Sequence, residues 1–132
     1  MNELPIRFRQ GREEDIPFII STWLKGLYYG NPWFNEIKKD NFMRKYHKIL
    51  TQLLAKEGIK ANVAVMANDP DHLLGYAILE GNTLHWVFVK KAFRKVGIGR
   101  ALVPQTIDTT THLTITGRKL KPQHIEFDPF RL

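Results

Sequence analysis

Apolar positions along the chain change their period several times, and each change marks a new element. In "PIRFRQ", residues 5–10, Ile6 and Phe8 alternate with Arg7 and Arg9, the period-two pattern of a half-buried strand. After Gly11 the steps lengthen to three and four, and Ile16, Ile19, Ile20, Trp23, Leu24 and Leu27 draw one helical stripe. Glu13, Glu14 and Asp15 suit the positive end of that helix, and Pro17 must lie in its first turn. "YYGNPWFNEIKK" reads as an aromatic turn in which Gly30, Asn31 and Pro32 break the helix. A second stripe, Phe42, Tyr46, Ile49, Leu50, Leu53 and Leu54, runs toward Gly58. Asp40 is its expected N-cap, and Arg44, Lys45 and Lys48 occupy the other face.

The period then shortens to two, or vanishes into continuous apolar runs. "NVAVMA", the turn "NDPD", "LLGYAILE", the tight "GN" and "TLHWVFVK" follow one another, which predicts a three-stranded antiparallel meander. "GIGRALVPQTI" predicts a third helix of modest length, with Pro104 at an early site or a kink. "THLTITG" is rich in β-branched residues and reads as a further strand. The tail "RKLKPQHIEFDPFRL" holds at most one short turn or strand. The predicted order is β-α-α-β-β-β-α-β with a shortened C-terminal part. That is an α/β (α+β) fold, with a mixed, mostly antiparallel central sheet flanked by helices. At 132 residues, with neither repeat nor linker, residues 1–132 form one domain.

Composition narrows the chemistry. Without cysteine there is no disulfide, thiolate metal site or cysteine nucleophile. The five histidines, at 47, 72, 85, 112 and 124, have no metal-ligand spacing, so no metal is expected. Ser21 is the only serine and sits in no nucleophile motif. No apolar run is long enough to span a membrane and "MNELPIRFRQ" lacks a signal-peptide core, so a cytoplasmic protein is expected. The net charge is +7, and it is concentrated. Residues 38–48 carry five Lys/Arg against Asp40, residues 90–100 five with no acid, and residues 118–121 three. The remainder is net acidic. Such clustering favours an anionic ligand, whether nucleotide, nucleic acid or acidic protein.

The middle cluster surrounds the most informative stretch, "VFVKKAFRKVGIGRALV", residues 87–103. There a strand hands over to a helix through Gly97 and Gly99, amid Lys90, Lys91, Arg94, Lys95 and Arg100. The first N–H groups of a helix lack intrahelical partners, and glycine lets main-chain amides close on a phosphate without a Cβ in the way. The glycine pair alone is a weak signal, because any tight strand-to-helix turn uses one.

The wider context resembles the acetyl-coenzyme A signature of the GNAT superfamily of N-acetyltransferases. Arg94, Gly97 and Gly99 fill its Arg/Gln-x-x-Gly-x-Gly/Ala motif, Val89 stands five residues before, and Ala101, Leu102 and Val103 continue the helix. Upstream, a strand, two helices and a meander match the family's order. The aromatic "STWLKGLYYGNPWF" before a basic helix also resembles small phage and prophage members, whose location would be the host cytoplasm. The resemblance implies that the backbone of Val87, Phe88 and Val89 pairs with the pantetheine arm of coenzyme A. Arg94 and the loop of Lys95, Val96, Gly97, Ile98, Gly99 and Arg100 would hold its pyrophosphate. A main-chain N–H near Val87 would serve as the oxyanion donor.

Acetyl transfer to an amine needs a route for the amine's protons and a proton for the departing sulfur. Glu80 and His85 are the nearest catalytic candidates, against the plainer readings of an exposed hairpin acid and a packed or surface strand histidine. Tyr28, Tyr29, Trp33 and Phe34 are candidates for the acceptor side, against the plainer reading that they cover a core edge. The family's usual downstream tyrosine, which protonates the thiolate, is absent, since no tyrosine follows Tyr76. His112 and His124 are not expected to replace it. Three readings follow: an N-acetyltransferase using acetyl-coenzyme A and an unidentified primary amine; a silent coenzyme A-binding or phage structural module; and a basic nucleic-acid-binding domain. A homodimer formed through the short C-terminal segment is left open.

Overall fold

The computed structural model describes residues 5–114, 117 and 120–131. Its strands are β1 (Ile6–Gln10), β2 (Ile59–Met66), β3 (Asp69–Glu80), β4 (Thr83–Val89), β5 (Thr109–Thr110) and β6 (Glu126–Phe127). Its helices are α1 (Ile16–Gly30), α2 (Lys39–Leu54) and α3 (Ile98–Leu102), with 3-10 turns at Glu13–Asp15, Pro32–Glu36 and Lys91–Phe93. The predicted order holds, and the tail supplies β6. No helix among the described residues is long and apolar enough to cross a membrane.

The strands form one sheet in chain order, β1 to β6. The first four pair antiparallel, and β5 and β6 add in parallel. Both faces are covered, which is why β3 reads as a continuous apolar run. On one face Val63, Val65, Tyr76, Ile78 and Trp86 pack under α1 and α2 against Ile19, Trp23, Leu27, Phe42 and Leu50. On the other, Ala64, Leu74, Ala77 and Leu84 meet Ile98, Leu102, Ile107 and Ile125.

Several boundaries differ from those the sequence predicts. α1 runs through Gly30, whose missing side chain leaves room for Thr114; an added Cβ would lie 2.5 Å from its methyl. Asp40 sits inside the first turn of α2, and Lys38 is the capping residue, without a side-chain cap bond. α3 has only five residues, and Pro104 lies beyond its end rather than within it. The strand expected over "THLTITG" is replaced by the two-residue β5 just before it. Residues 111–114 belong to no strand, and 115 and 116 lie outside the described residues, as do 118 and 119 of the third basic cluster.

β1 keeps only part of its expected alternation, with Ile6 half-buried against the second cluster and Arg7 exposed. Phe8 is 48% exposed. Arg9 instead turns inward and grips the buried Asp15 carboxylate with two guanidinium nitrogens at 2.7 and 2.9 Å. Asp15 also accepts from the Arg12 N–H at 2.8 Å. The Arg9 hydrogen bond holds the Asp15 carboxyl below its usual pKa and fixes how α1 starts.

Candidate functional site

The site begins where β4 and β5 part. Only Thr83↔Thr109 and Leu84↔Thr110 pair, flanked by bonds from the Asp108 and Thr109 N–H groups to the Asn82 carbonyl on one side and from the Thr111 N–H to the Leu84 carbonyl at 3.1 Å on the other. Among the described residues nothing pairs with this edge of β4 beyond the Thr111 bond, so the sheet opens as a wedge with its vertex at His85 and Thr111. The Lys90 N–H donates to the Leu74 carbonyl at 2.8 Å. By alternation, Phe88 and Trp86 direct their main chains at β3, while Val87 and Val89 direct theirs at the open edge. The Val89 carbonyl accepts from Arg94 Nε at 2.8 Å, as that geometry demands. Phe88 therefore offers no edge group, and its ring packs on Phe18 and Tyr76. Among the described residues the edge groups without a partner are the Val87 N–H and carbonyl and the Val89 N–H.

The chain leaves β4 through the 3-10 turn and a loop into α3. Lys95 and Gly97 both take positive φ, 68° and 89°, and α3 begins at once. Ile98 and Leu102 pin it into the core, at 3% and 1% exposure, and Asn62 Nδ2 donates to the Leu102 carbonyl at 3.3 Å. The first N–H to find an acceptor is that of Ala101, bonded to Gly97 at 3.0 Å. Among the described residues, none of the six N–H groups from Lys95 to Arg100 donates a hydrogen bond. With only five residues, α3 has little dipole to contribute. Attraction for an anion comes from the loop amides and from Lys90, Lys91, Arg94, Lys95 and Arg100, with no acid among residues 90–100.

At the vertex, the two catalytic candidates meet each other and four further polar residues, Lys56, Thr111, His112 and Tyr46, of which the sequence analysis weighed only His112 for chemistry. Glu80 Oε2 pairs with Lys56 Nζ at 2.8 Å, and Glu80 Oε1 lies 3.0 Å from His85 Nε2. His85, fully buried, places Nδ1 2.8 Å from Thr111 Oγ1. Thr111 Oγ1 is 2.9 Å from His112 Nδ1, and His112 Nε2 is 3.1 Å from the Tyr46 hydroxyl. Trp23 stacks on Trp86 at 5.8 Å and meets the His112 ring edge-on at 5.3 Å.

Burial sets the charge states. It lowers the His85 pKa although the Glu80 carboxylate pulls upward, and it pushes His112 down to about 4, with His85 adding to the effect. Both rings are neutral at physiological pH, so the His85–Glu80 contact is a hydrogen bond rather than an ion pair. The Lys56 and His85 hydrogen bonds hold Glu80 below the usual carboxylate range, and burial raises the Tyr46 phenol. Glu80 is thus an ionised, doubly engaged carboxylate, 26% exposed at its side chain, and not a free base. It lines a surface cavity of about 430 Å³ with Lys56, Asn82, Asp108 and Arg131.

The aromatic candidates divide. Tyr28 is buried, and Phe34 packs on Phe42 and Tyr46 as part of the core edge. Tyr29 and Trp33 are 61% and 53% exposed. Tyr29 lines a groove of about 680 Å³ between α1 and α2, where Lys39 stands 5.3 Å from its ring. Among the described residues no three metal-ligating side chains converge.

No protein-family model matches the sequence, and no curated protein matches it. Solved structures do. A candidate acetyl transferase from Pyrococcus furiosus superposes with a TM-score of 0.63 over 93% of this chain and 80% of that one, at 19% identity. The fold is that of the acetyltransferases. A candidate acetyltransferase from Clostridium difficile 630 gives 0.53 over 76% of this chain and 66% of its own, at 22% identity. A GCN5-related N-acetyltransferase from Rhodopseudomonas palustris gives 0.52 over 77% and 63%, at 14% identity. The chain therefore spans less than two thirds of those last two proteins. The GNAT fold expected from the Arg94, Gly97 and Gly99 motif is the fold observed, with the β4–β5 wedge and the loop before α3 side by side.

Proposed function

We propose that this chain is an N-acetyltransferase that takes its acetyl group from acetyl-coenzyme A and passes it to a primary amine. The observation that carries the reading is the run of six unengaged N–H groups from Lys95 to Arg100, beside a strand edge whose Val87 and Val89 groups face outward. A diphosphate suits the first, since it presents many acceptors and negative charge to amides and basic side chains. An extended arm with amide groups suits the second, because it can add to the edge like a strand. The Val87 N–H, nearest the vertex, is the group that would polarise a thioester carbonyl there. Bound in this way, acetyl-coenzyme A would supply an activated acyl group. The chain's own work is to hold it, orient it and manage protons.

Coenzyme A tests the reading through stability. At a hundredfold excess over its Kd it should stabilise the folded chain by about 2.7 kcal/mol, seen as a rise in Tm. Gly99→Glu should remove the rise. Gly99 is the better position, because its φ is not positive and an added Cβ meets only the Val89 methyl at 3.7 Å. Gly97 would add backbone strain to the result. An undiminished rise in Gly99→Glu would overturn the loop assignment. Thiol release from acetyl-coenzyme A across a panel of amines then separates an enzyme from a silent binder.

A further inference from the structure

We propose that Tyr46, His112, Thr111, His85 and Glu80 form a directional proton relay, carrying a proton from an acceptor amine beside Tyr46 to the surface at Glu80. The inference rests on the acetyl-transfer reading and adds to it the path by which the reaction sheds its proton.

The direction follows from what each atom can do. Glu80 is ionised and can only accept, so His85 must carry its proton on Nε2. A neutral His85 then has a bare Nδ1, which accepts the Thr111 hydroxyl proton. Thr111 Oγ1, its proton spent, accepts from His112 Nδ1–H. His112 Nε2 is therefore bare and accepts from the Tyr46 hydroxyl. Each link has one donor and one acceptor, all pointing from Tyr46 to Glu80. No other assignment satisfies the chain while Glu80 is charged and both rings are neutral. Both ends reach less buried ground. Tyr46 is half-buried beside Phe34, while Glu80 lines the polar cavity.

The polarity also fixes what Tyr46 does. Its own proton is committed inward, so it presents an oxygen lone pair to its surroundings. It does not replace the absent downstream tyrosine as proton donor to sulfur; it is a receiver. An ammonium becoming an amide loses two protons as the N–C bond forms and the C–S bond breaks with its electron pair on sulfur. One proton ends on that sulfur. The other must reach water. Tyr46 Oη takes it while passing its own proton to His112 Nε2. His112 Nδ1 gives one to Thr111, Thr111 gives one to His85 Nδ1, and His85 Nε2–H goes to Glu80. Glu80, held at a low pKa by Lys56, releases it to the solvent of the cavity. Charge and atoms balance, and no group remains altered once the hydroxyls and rings return to their starting tautomers.

The test uses the full chain with acetyl-coenzyme A and, as acceptors, spermidine and a lysine-containing peptide. Nitrogen NMR of the free protein should find His112 protonated at Nδ1 and His85 at Nε2. Thr111→Val keeps the shape and cuts the path. It should lower kcat about a hundredfold, leave KM for acetyl-coenzyme A unchanged and turn a many-proton solvent deuterium isotope effect on kcat into that of a single transfer, as a proton inventory would show. Thr111→Ser should restore both, and Tyr46→Phe should reproduce the loss from the other end without touching the ring packing. Opposite tautomers, or a Thr111→Val chain with wild-type kcat and isotope effect, would overturn the relay and leave acetyl transfer standing. A wild-type chain that turns over neither amine would overturn the transfer reading, and the relay with it.

Discussion

The two sides of the wedge are built on opposite terms. The loop from Lys95 to Arg100 is main chain, largely exposed, and its N–H groups are unspent. The vertex is side chain and buried, and both ring nitrogens of His85 and of His112 are engaged. A site with unspent donors gains by meeting a ligand and contributes little to the fold. A closed network gains by staying closed and belongs to the fold as much as to the chemistry. Substitutions should therefore separate the two, with ligand affinity lost at the loop and stability lost at the vertex.

The largest expected effect is at the vertex. His85→Ala removes a fully buried ring, leaves a cavity, and strips a partner from both Thr111 and Glu80. Cavity and unsatisfied groups together should cost about 4 kcal/mol, measured by denaturant unfolding. Gly99→Glu, at the loop, should move the same midpoint far less while erasing the response to coenzyme A. Equal losses at both positions would break the contrast.

Acid should sharpen it. His112 titrates near pH 4 in the folded chain, depressed by burial, against about 6.5 when unfolded. Between those values the unfolded chain binds a proton that the folded chain refuses, so stability rises with pH across that window. The contribution is full above the unfolded pKa and is lost as pH falls toward 4. It is on the order of 3 kcal/mol at 1.36 kcal/mol per unit. His85, also lowered by burial, acts in the same direction. Asp15, held down by the Arg9 hydrogen bond, acts through protonation below the ordinary carboxylate value and so at lower pH. Tm against pH should fall across the histidine window, and His112→Phe should reduce that slope. An unchanged slope would mean that the vertex is not the acid-sensitive part of the molecule.

The same contrast explains what could be read from the sequence. A main-chain site is encoded locally. Gly97 and Gly99 between a strand and a helix, ringed by basic residues, pointed to the loop, and the GNAT-like order β-α-α-β-β-β-α-β came from hydrophobic period alone. The vertex is encoded nowhere in particular. His85 and Thr111 are 26 residues apart, and Tyr46 and His112 are 66 apart. Tyr46 read as one more member of an apolar stripe, and Thr111 as a β-branched strand residue. Only the packing of α2 over the parting strands makes them neighbours. α3 and β5 were overdrawn for a related reason. Helical and β-branched composition sets a preference, but Pro104 and the divergence from β4 cut each element short. Phe8 and Arg9 of β1 depart from the alternation that Ile6 and Arg7 keep, because a period-two pattern cannot show that Arg9 has a buried partner in Asp15.

The smallest effect tests whether the loop is held in shape at a cost. Lys95 keeps φ at 68° despite bearing a Cβ, a conformation that costs an L-residue roughly 1 kcal/mol. Lys95→Gly relieves it, while the freer unfolded chain takes back about half of that gain. The net should be a stabilisation near 0.5 kcal/mol, about 2 °C in Tm. Gly97→Ala is the mirror experiment. Its φ is 89° and nothing lies within 4 Å of an added Cβ, so only the backbone can object, by about 1 kcal/mol. Opposite signs at two positions in one exposed loop would show that its curvature is imposed by the anchoring of Ile98 and Leu102 and of Val89 on either side. Equal signs would mean that the loop is relaxed, and that its open amides are a resting shape rather than a prepared one.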